Sequence, residues 1–153
     1  MAEIRAARLD DIPQLVKWGE EFWKGTYFWQ ERNMPYDAET VEELCEMLIK
    51  EQHGHISVCT DDDGDVRGFA LAFNYQFVFN KNVPMMCELA WYVDPTFREK
   101  GIGSKLLERV ELVARFRGCK FMTMVSMKHS MDVGPLYEKH GYTQTESTYV
   151  KEL

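Results

Sequence analysis

The segment Val93-Asp94-Pro95-Thr96-Phe97-Arg98-Glu99-Lys100-Gly101-Ile102-Gly103-Ser104 joins a strand pattern to an amphipathic helix pattern through a Pro-containing turn. An arginine and two glycines spaced by one residue stand at the junction. N–H groups at a helix start have no intrahelical acceptor, and the helix dipole favours negative charge there, so this order builds an anion site from backbone. The glycines let a phosphate approach the main chain, and Gly101 could adopt the φ > 0 conformation closed to most residues. The bland alternative is a helix that merely begins at glycines.

Other residues with chemical potential sort quickly. Glu88, between Cys87 and Leu89, is an acidic residue inside an apolar strand pattern, where a carboxylate is costly unless it has work or a partner. Strand alternation places it on the face of Ala90 and Tyr92, and a bulge in the strand would change that face. Its alternative is a structural Glu held by an arginine or a backbone amide. A dinucleotide fingerprint would need a third glycine where Leu106 stands, and a P-loop would need Gly-Lys-Ser/Thr after four spacer residues, which is absent. Cys45, His53, His55 and Cys59 match no usual zinc spacing, so no metal is expected. Cys87 lacks an evident activating base for acyl transfer. Asp61–Asp65 offers too few ligands for calcium and reads as a solvated turn.

The elements that must position these residues follow from periodicity. Glu3–Arg8 reads as a strand, and Asp10 or Asp11 as the cap of a helix with Pro13 in its first turn. Ile12, Leu15, Val16, Gly19, Phe22 and Trp23 share a helical face. Gly25 to Pro35 reads as a loop rich in aromatics. A second helix spans about Ala38 to Gln52, ended by Gly54. His55–Thr60 and Val66–Phe79 form a hairpin about an Asp-Gly turn. Phe69, Leu71, Phe73, Tyr75, Phe77 and Phe79 lie on one face of its second strand. Gly68, Ala70 and Ala72 lie on the other, which predicts a closely packed helix there. Met85–Val93 is a strand, followed by the helix of Ile102, Leu106, Leu107, Val110, Val113 and Ala114, stopped by Gly118. Phe121–Val125 reads as a central strand covered on both faces. A short helix over about Met131–His140 and a last strand, Tyr142–Val150, complete the order β-α-α-β-β-β-α-β-α-β. This is an α/β chain with a mixed central sheet of about six to seven strands and helices on both faces.

Composition sets the limits. With 153 residues, 45% of them hydrophobic and 13% aromatic, a single domain over 1–153 can bury a proper core. The net charge of −7 disfavours nucleic acid as a partner and favours a cationic one. No apolar run reaches the ~20 residues of a membrane span, so no membrane partner is expected. The start Met1-Ala2-Glu3-Ile4-Arg5 lacks the apolar stretch of a secretory signal. Four widely spaced cysteines then suit reduced thiols and a cytoplasmic location.

Arg98-x-x-Gly101-x-Gly103 after a strand ending Val-Asp-Pro, with Leu136-Tyr137-Glu138-Lys139-His140-Gly141-Tyr142 later in the chain, resembles the GNAT superfamily of acyl-CoA-dependent N-acyltransferases. The resemblance covers nearly the whole length, and the two motifs together are far more specific than either alone. It implies transfer of an acetyl group from acetyl-CoA, as co-substrate, to a primary amine by direct attack in a ternary complex. The implied pyrophosphate site is Arg98, Glu99, Lys100, Gly101, Ile102, Gly103 and Ser104. The main chain of Trp91, Tyr92 and Val93 would align the pantetheine arm. Tyr137 would assist the departing thiolate, and Glu88 would take the proton that an ammonium must lose before attack. Relatives often carry an Asn where this chain has Ser130, whose hydroxyl could replace that pantetheine contact. His129 beside it is a weaker candidate base. The acceptor, small molecule or polypeptide, would be set by Trp23–Pro35 and Tyr142–Leu153. Aromatic walls and an acidic surface suit a cationic amine. A homodimer stays open, as does a second reading: a CoA-binding module without catalysis, acting through Tyr27–Trp29 and Phe77–Phe79 on a protein partner.

Overall fold

A computed structural model describes residues 2–128 and 130–153, with the side chains of Glu99 and Lys100 outside that description. Its sheet consists of β1 (Glu3–Ala6), β2 (Gly54–Thr60), β3 (Val66–Phe77), β4 (Asn80–Val93) and β5 (Phe121–Thr123), in that spatial order. The first three pairings are antiparallel and β4–β5 is parallel, so the sheet is mixed as expected. Among the described residues it has five strands rather than six or seven. Tyr142–Val150 is not a strand. Its alternating positions from Thr143 to Thr148 are polar on both sides, so neither face would bury anything to hold it in register. β5 is correspondingly the sheet edge instead of a covered centre, and Phe121 is 64% exposed.

Helices α1 (Ile12–Lys24) and α3 (Ala38–Lys50) cover one face. Leu15, Cys45 and Leu48 pack there against Ile56, Val58, Phe69, Leu71 and Ala90. Helix α4 (Ile102–Phe116) covers the other, where Ile102, Leu106, Val110 and Ala114 meet Ala70, Ala72, Met86 and Val93. The small-residue face of β3 is therefore where a helix approaches closely. A Cβ on Gly68 would stand 3.3 Å from Leu106 Cδ1 and 3.1 Å from the Tyr92 carbonyl oxygen.

Four local expectations are corrected. The aromatic connector contains a helix, α2 (Tyr27–Arg32), because Thr26 accepts from the Trp29 amide at its start and Asn33, at φ 49°, ends it. Gly54 opens β2 instead of ending α3. A Cβ there would lie 2.4 Å from the Leu48 α-carbon, so only glycine lets the strand leave so close to the helix. Asp11 sits before α1 but does not cap it. Its carboxylate is held by the Arg5 guanidinium at 2.7 and 2.9 Å and by the Arg8 amide at 2.7 Å. The last helix, α5 (Gly134–Lys139), is shorter than expected and starts at Pro135's turn. Among the described residues no helix is long and apolar enough to cross a membrane, and no cluster of His, Cys, Asp or Glu could hold a metal ion.

Candidate active site

The site forms where β4 and β5 part. They pair only over Met85–Cys87 and Phe121–Thr123, so β4 from Leu89 to Val93 presents an edge that β5 does not cover. The same point carries a bulge: Leu71 pairs with Ala90 and Ala72 with Glu88, leaving Leu89 without a partner on β3. Simple alternation is thereby broken. Ala90 and Tyr92 belong to the face under α1 and α3, whereas Glu88 shares the α4 face with Met86, Trp91 and Val93.

Glu88 is 5% exposed. Its Oε2 accepts the Val125 N–H at 3.0 Å, across the gap between the strands. Burial dominates over that hydrogen bond and pushes the carboxyl up to about 7. No cation pairs with it among the described residues. Tyr137, on α5, donates its hydroxyl to the Val125 carbonyl at 2.9 Å. One main-chain residue thus holds both side chains, each by one of its two polar groups. Burial, and then the Glu88 charge, push the Tyr137 phenol well above its ordinary range, so it stays protonated. Tyr142 backs it, with ring centroids 5.8 Å apart and its own hydroxyl donated to Glu111 at 2.9 Å. Gly141, at φ 88°, turns the chain so that Tyr142 can lie there.

The turn that leads into α4 is built from local contacts. Asp94 caps the turn Pro95–Lys100 by accepting from the Thr96 amide and hydroxyl, both at 3.0 Å. Arg98 folds back on the strand: its Nε donates to the Val93 carbonyl at 2.9 Å and its guanidinium lies over the Tyr92 ring. Gly101 takes φ 69° and α4 starts at Ile102 without a side-chain cap. The first-turn amides of Ile102, Gly103 and Ser104 therefore remain available to an anion. Nothing lies within 4 Å of the position a Gly101 Cβ would take. At Gly103 the reason for glycine differs from expectation. A Cβ there would stand 2.8 Å from Cζ2 of Trp91, so this residue makes room for an indole. Beside it the Trp91 Nε1 is buried with no partner among the described residues. An uncapped helix start beside an open strand edge is what a diphosphate with an extended arm would satisfy.

Ser130 is exposed in the connection between β5 and α5. His129 lies outside the described residues, as do the side chains of Glu99 and Lys100. Two features escaped the sequence reading. Val125 acts through its backbone, which no residue type betrays. The second is a cavity of about 190 Å³ on the opposite face of the bulge, lined by Gly19, Phe22, Tyr36, Leu44, Leu89 and Ala90 among others. Tyr36 reaches the Val16 carbonyl at 2.7 Å only because residue 19 has no side chain, since a Cβ there would be 2.8 Å from its hydroxyl. Leu89, one of the lining residues, is 39% exposed.

A model of the acetyltransferase (GNAT) family matches residues 15–142. The uncharacterized N-acetyltransferase YhfO of Bacillus subtilis is 27% identical over 95 residues, 61% of this chain and 62% of that protein's length. The fold is similar to that of the aminoglycoside N-acetyltransferase AAC(6')-Iy, solved in complex with CoA, with a TM-score of 0.81 at 17% identity over 100% of this chain and 95% of the other. It is similar also to a ribosomal-protein-alanine N-acetyltransferase from Brucella melitensis, with a TM-score of 0.75 at 17% identity over 100% of both chains.

Proposed function

Because the chain belongs to the acetyltransferase (GNAT) family, we propose that it moves an acetyl group from acetyl-CoA to a primary amine by direct attack in a ternary complex. Acetyl-CoA supplies an activated acyl group, and its transfer forms an amide and releases the CoA thiol. The first-turn amides of α4, from Ile102 to Ser104, hold the diphosphate, with the main chain of Arg98–Gly101 leading into them. The open edge of β4 at Trp91, Tyr92 and Val93 aligns the arm, and Ser130 flanks it from the β5–α5 connection. Glu88, directly or through a water, takes the proton that the acceptor ammonium must lose. Tyr137 gives a hydrogen bond to the departing thiolate, whose charge is balanced by the second proton that the attacking nitrogen sheds.

The observation that carries this reading is Glu88, a buried carboxylate poised near neutrality at the point where two strands separate. A module that only bound CoA would gain nothing from keeping such a group unpaired by any cation. An assay for free thiol with acetyl-CoA and a panel of amines tests the reading. Binding of CoA without thiol release from any amine would favour the non-catalytic module instead.

The cavity supports a narrower reading of the acceptor. Among the described residues no carboxylate lines it, so a second ammonium on a polyamine would find no counter-charge from them there. An apolar cavity of roughly 150 Å³ accepts a benzene ring, so this one suits an aromatic or branched aliphatic group carried by a small amine. Arylalkyl and branched alkyl amines should therefore show kcat/KM at least about tenfold above linear polyamines, from one buried ring's worth of apolar surface. Preference for polyamines in the same panel would contradict this. Tyr137→Phe should reduce turnover by about tenfold, since a thiolate needs only modest help, with CoA affinity nearly unchanged. Unaltered turnover would remove the role given to the hydroxyl.

A further inference from the structure

The Tyr137 phenol has one proton to donate, and in the free protein it goes to the Val125 carbonyl at 2.9 Å. To hydrogen-bond a departing thiolate, the hydroxyl must leave that carbonyl and lose the contact that fixes it. Something else must then hold the ring. Helix α5 cannot do so unaided: it runs for six residues, and Tyr137 is the residue it buries. Helices that short have little stability of their own. Two rings lie beside the phenol, with centroids 5.9 Å away for Trp91 and 5.8 Å for Tyr142. Trp91 is fixed as part of β4. Tyr142 lies outside any helix or strand, and its amide only returns to α5, donating to the Tyr137 carbonyl at 3.0 Å. Its hydroxyl reaches elsewhere, to Glu111 Oε1 at 2.9 Å. Glu111 belongs to α4, which Ile102, Leu106, Val110 and Ala114 anchor in the core. The Glu111 side chain is 16% exposed, and Arg115 donates to its other oxygen at 3.4 Å, leaving Oε1 to Tyr142. Burial and this partner hold the Tyr142 phenol well above its ordinary range, so it stays a donor.

We infer that Glu111 and Tyr142 form a positioning pair, which holds the Tyr137 ring while its hydroxyl exchanges the Val125 carbonyl for the sulfur. The inference rests on the proposed part of Tyr137 in acetyl transfer. Neither member of the pair touches the atoms that react. Through it the phenol is tied to the same helix whose first turn is the proposed diphosphate site. Both ends of the path that the cofactor would take thus share one rigid support.

Tyr142→Phe keeps the ring and removes the hydroxyl. Turnover should fall about fivefold, the net worth of one hydrogen bond, with KM for acetyl-CoA unchanged. Added to Tyr137→Phe it should bring no further loss, because no hydroxyl is left to aim. Glu111→Leu should reproduce Tyr142→Phe. Glu111→Gln keeps an oxygen that can accept, and should restore the parent's turnover. Both Glu111 variants lose the Arg115 contact equally, and that exposed pair is worth little. The Tyr137 ring itself gives a readout free of turnover. Its signals in spectra of tyrosine-labelled protein, assigned by their loss in Tyr137→Phe, should broaden in Tyr142→Phe and Glu111→Leu but not in Glu111→Gln.

Parental turnover in Tyr142→Phe would overturn the inference. An undiminished loss on top of Tyr137→Phe would overturn it too, by making the pair a general support of the fold. A higher KM for acetyl-CoA at constant kcat would do the same, by moving the effect to the start of α4. Should Tyr142→Phe fail to fold, the two Glu111 variants carry the comparison, and equal losses in both would reject the pair. Full turnover in Tyr137→Phe would instead defeat the role proposed for that hydroxyl, and no thiol release by the parent would defeat acetyl transfer. Rejection of the pair alone has its own signature: Tyr137→Phe impaired and Tyr142→Phe not.

Discussion

Glu88→Gln is expected to lower kcat/KM by about 10²–10⁴, the usual contribution of a positioned general base, while making the protein more stable at pH 8. Both effects come from the same carboxyl. The amide keeps an oxygen for the Val125 N–H, so the local hydrogen bond survives. What disappears is a charge held out of water, which places the folded-state value at about 7 against 4.5 for an exposed group. Below pH 4.5 the carboxyl is protonated whether the chain is folded or not, and it has no effect on stability. As pH rises from there to 7 the unfolded chain ionises first, so stability is lost, and above 7 the loss is constant at about 3 kcal/mol. Urea denaturation should therefore show parent and variant alike near pH 4 and the variant ahead at pH 8. The parent's kcat/KM should climb with pH through about 7, as the base becomes ionised, and that limb should vanish in the variant. The acceptor's own ionisation, nearer 10 for an alkylamine, should remain in both. An unchanged rate profile, or a variant no more stable at pH 8, would remove Glu88 from the mechanism.

The candidate site was legible in the chain to different depths. The turn before α4 could be read because its geometry is local: Val-Asp-Pro ends a strand, Asp94 caps the next turn, and Gly101 is needed for its left-handed conformation. The Gly68-Ala70-Ala72 stripe announced the close helix for the same reason, since small side chains leave a mark in the sequence. Glu88 could be found but not aimed. Its face depends on one unpaired residue, Leu89, and nothing in Cys-Glu-Leu-Ala distinguishes a bulge from regular pleating. Val125 was invisible because its contribution is two backbone atoms. The cavity was equally hidden: it is a gap between α1, α3 and the sheet, and gaps are set by how elements dock. At the C-terminal end periodicity misled. Tyr142 and Val150 bracket a polar alternation, and a strand with two polar faces has no burial to specify it.

The second large effect concerns Gly103, where two explanations of one glycine predict different variants. If its purpose were solely to admit phosphate, a small side chain would crowd the ligand and leave the free protein intact. The geometry instead puts the obstacle inside the protein, since a Cβ would stand 2.8 Å from Cζ2 of a rigid indole. Trp91 cannot yield easily, with the Tyr137 ring 5.9 Å away on its other side and Tyr142 behind that. Gly103→Val must then either lift the first turn of α4 or swing the indole into the gap that the arm would use. The first movement disrupts the helix-start amides, each worth about 1.5–3 kcal/mol to a charged ligand, and the second blocks the arm, so CoA affinity should fall more than about 100-fold. The free variant should also melt lower, and its tryptophan fluorescence should change before any ligand is added. Gly101→Ala is the informative contrast. No atom lies within 4 Å of its Cβ position, and its penalty is about 1–2 kcal/mol for holding φ at 69°. It should lower the melting temperature without altering the fluorescence of Trp91. If Gly103→Val kept the parent's emission spectrum and bound CoA within tenfold of the parent, the indole would not be where the argument needs it. Gly103→Ala, with one methyl to accommodate, gives the same ordering on a milder scale should the valine variant fail to fold.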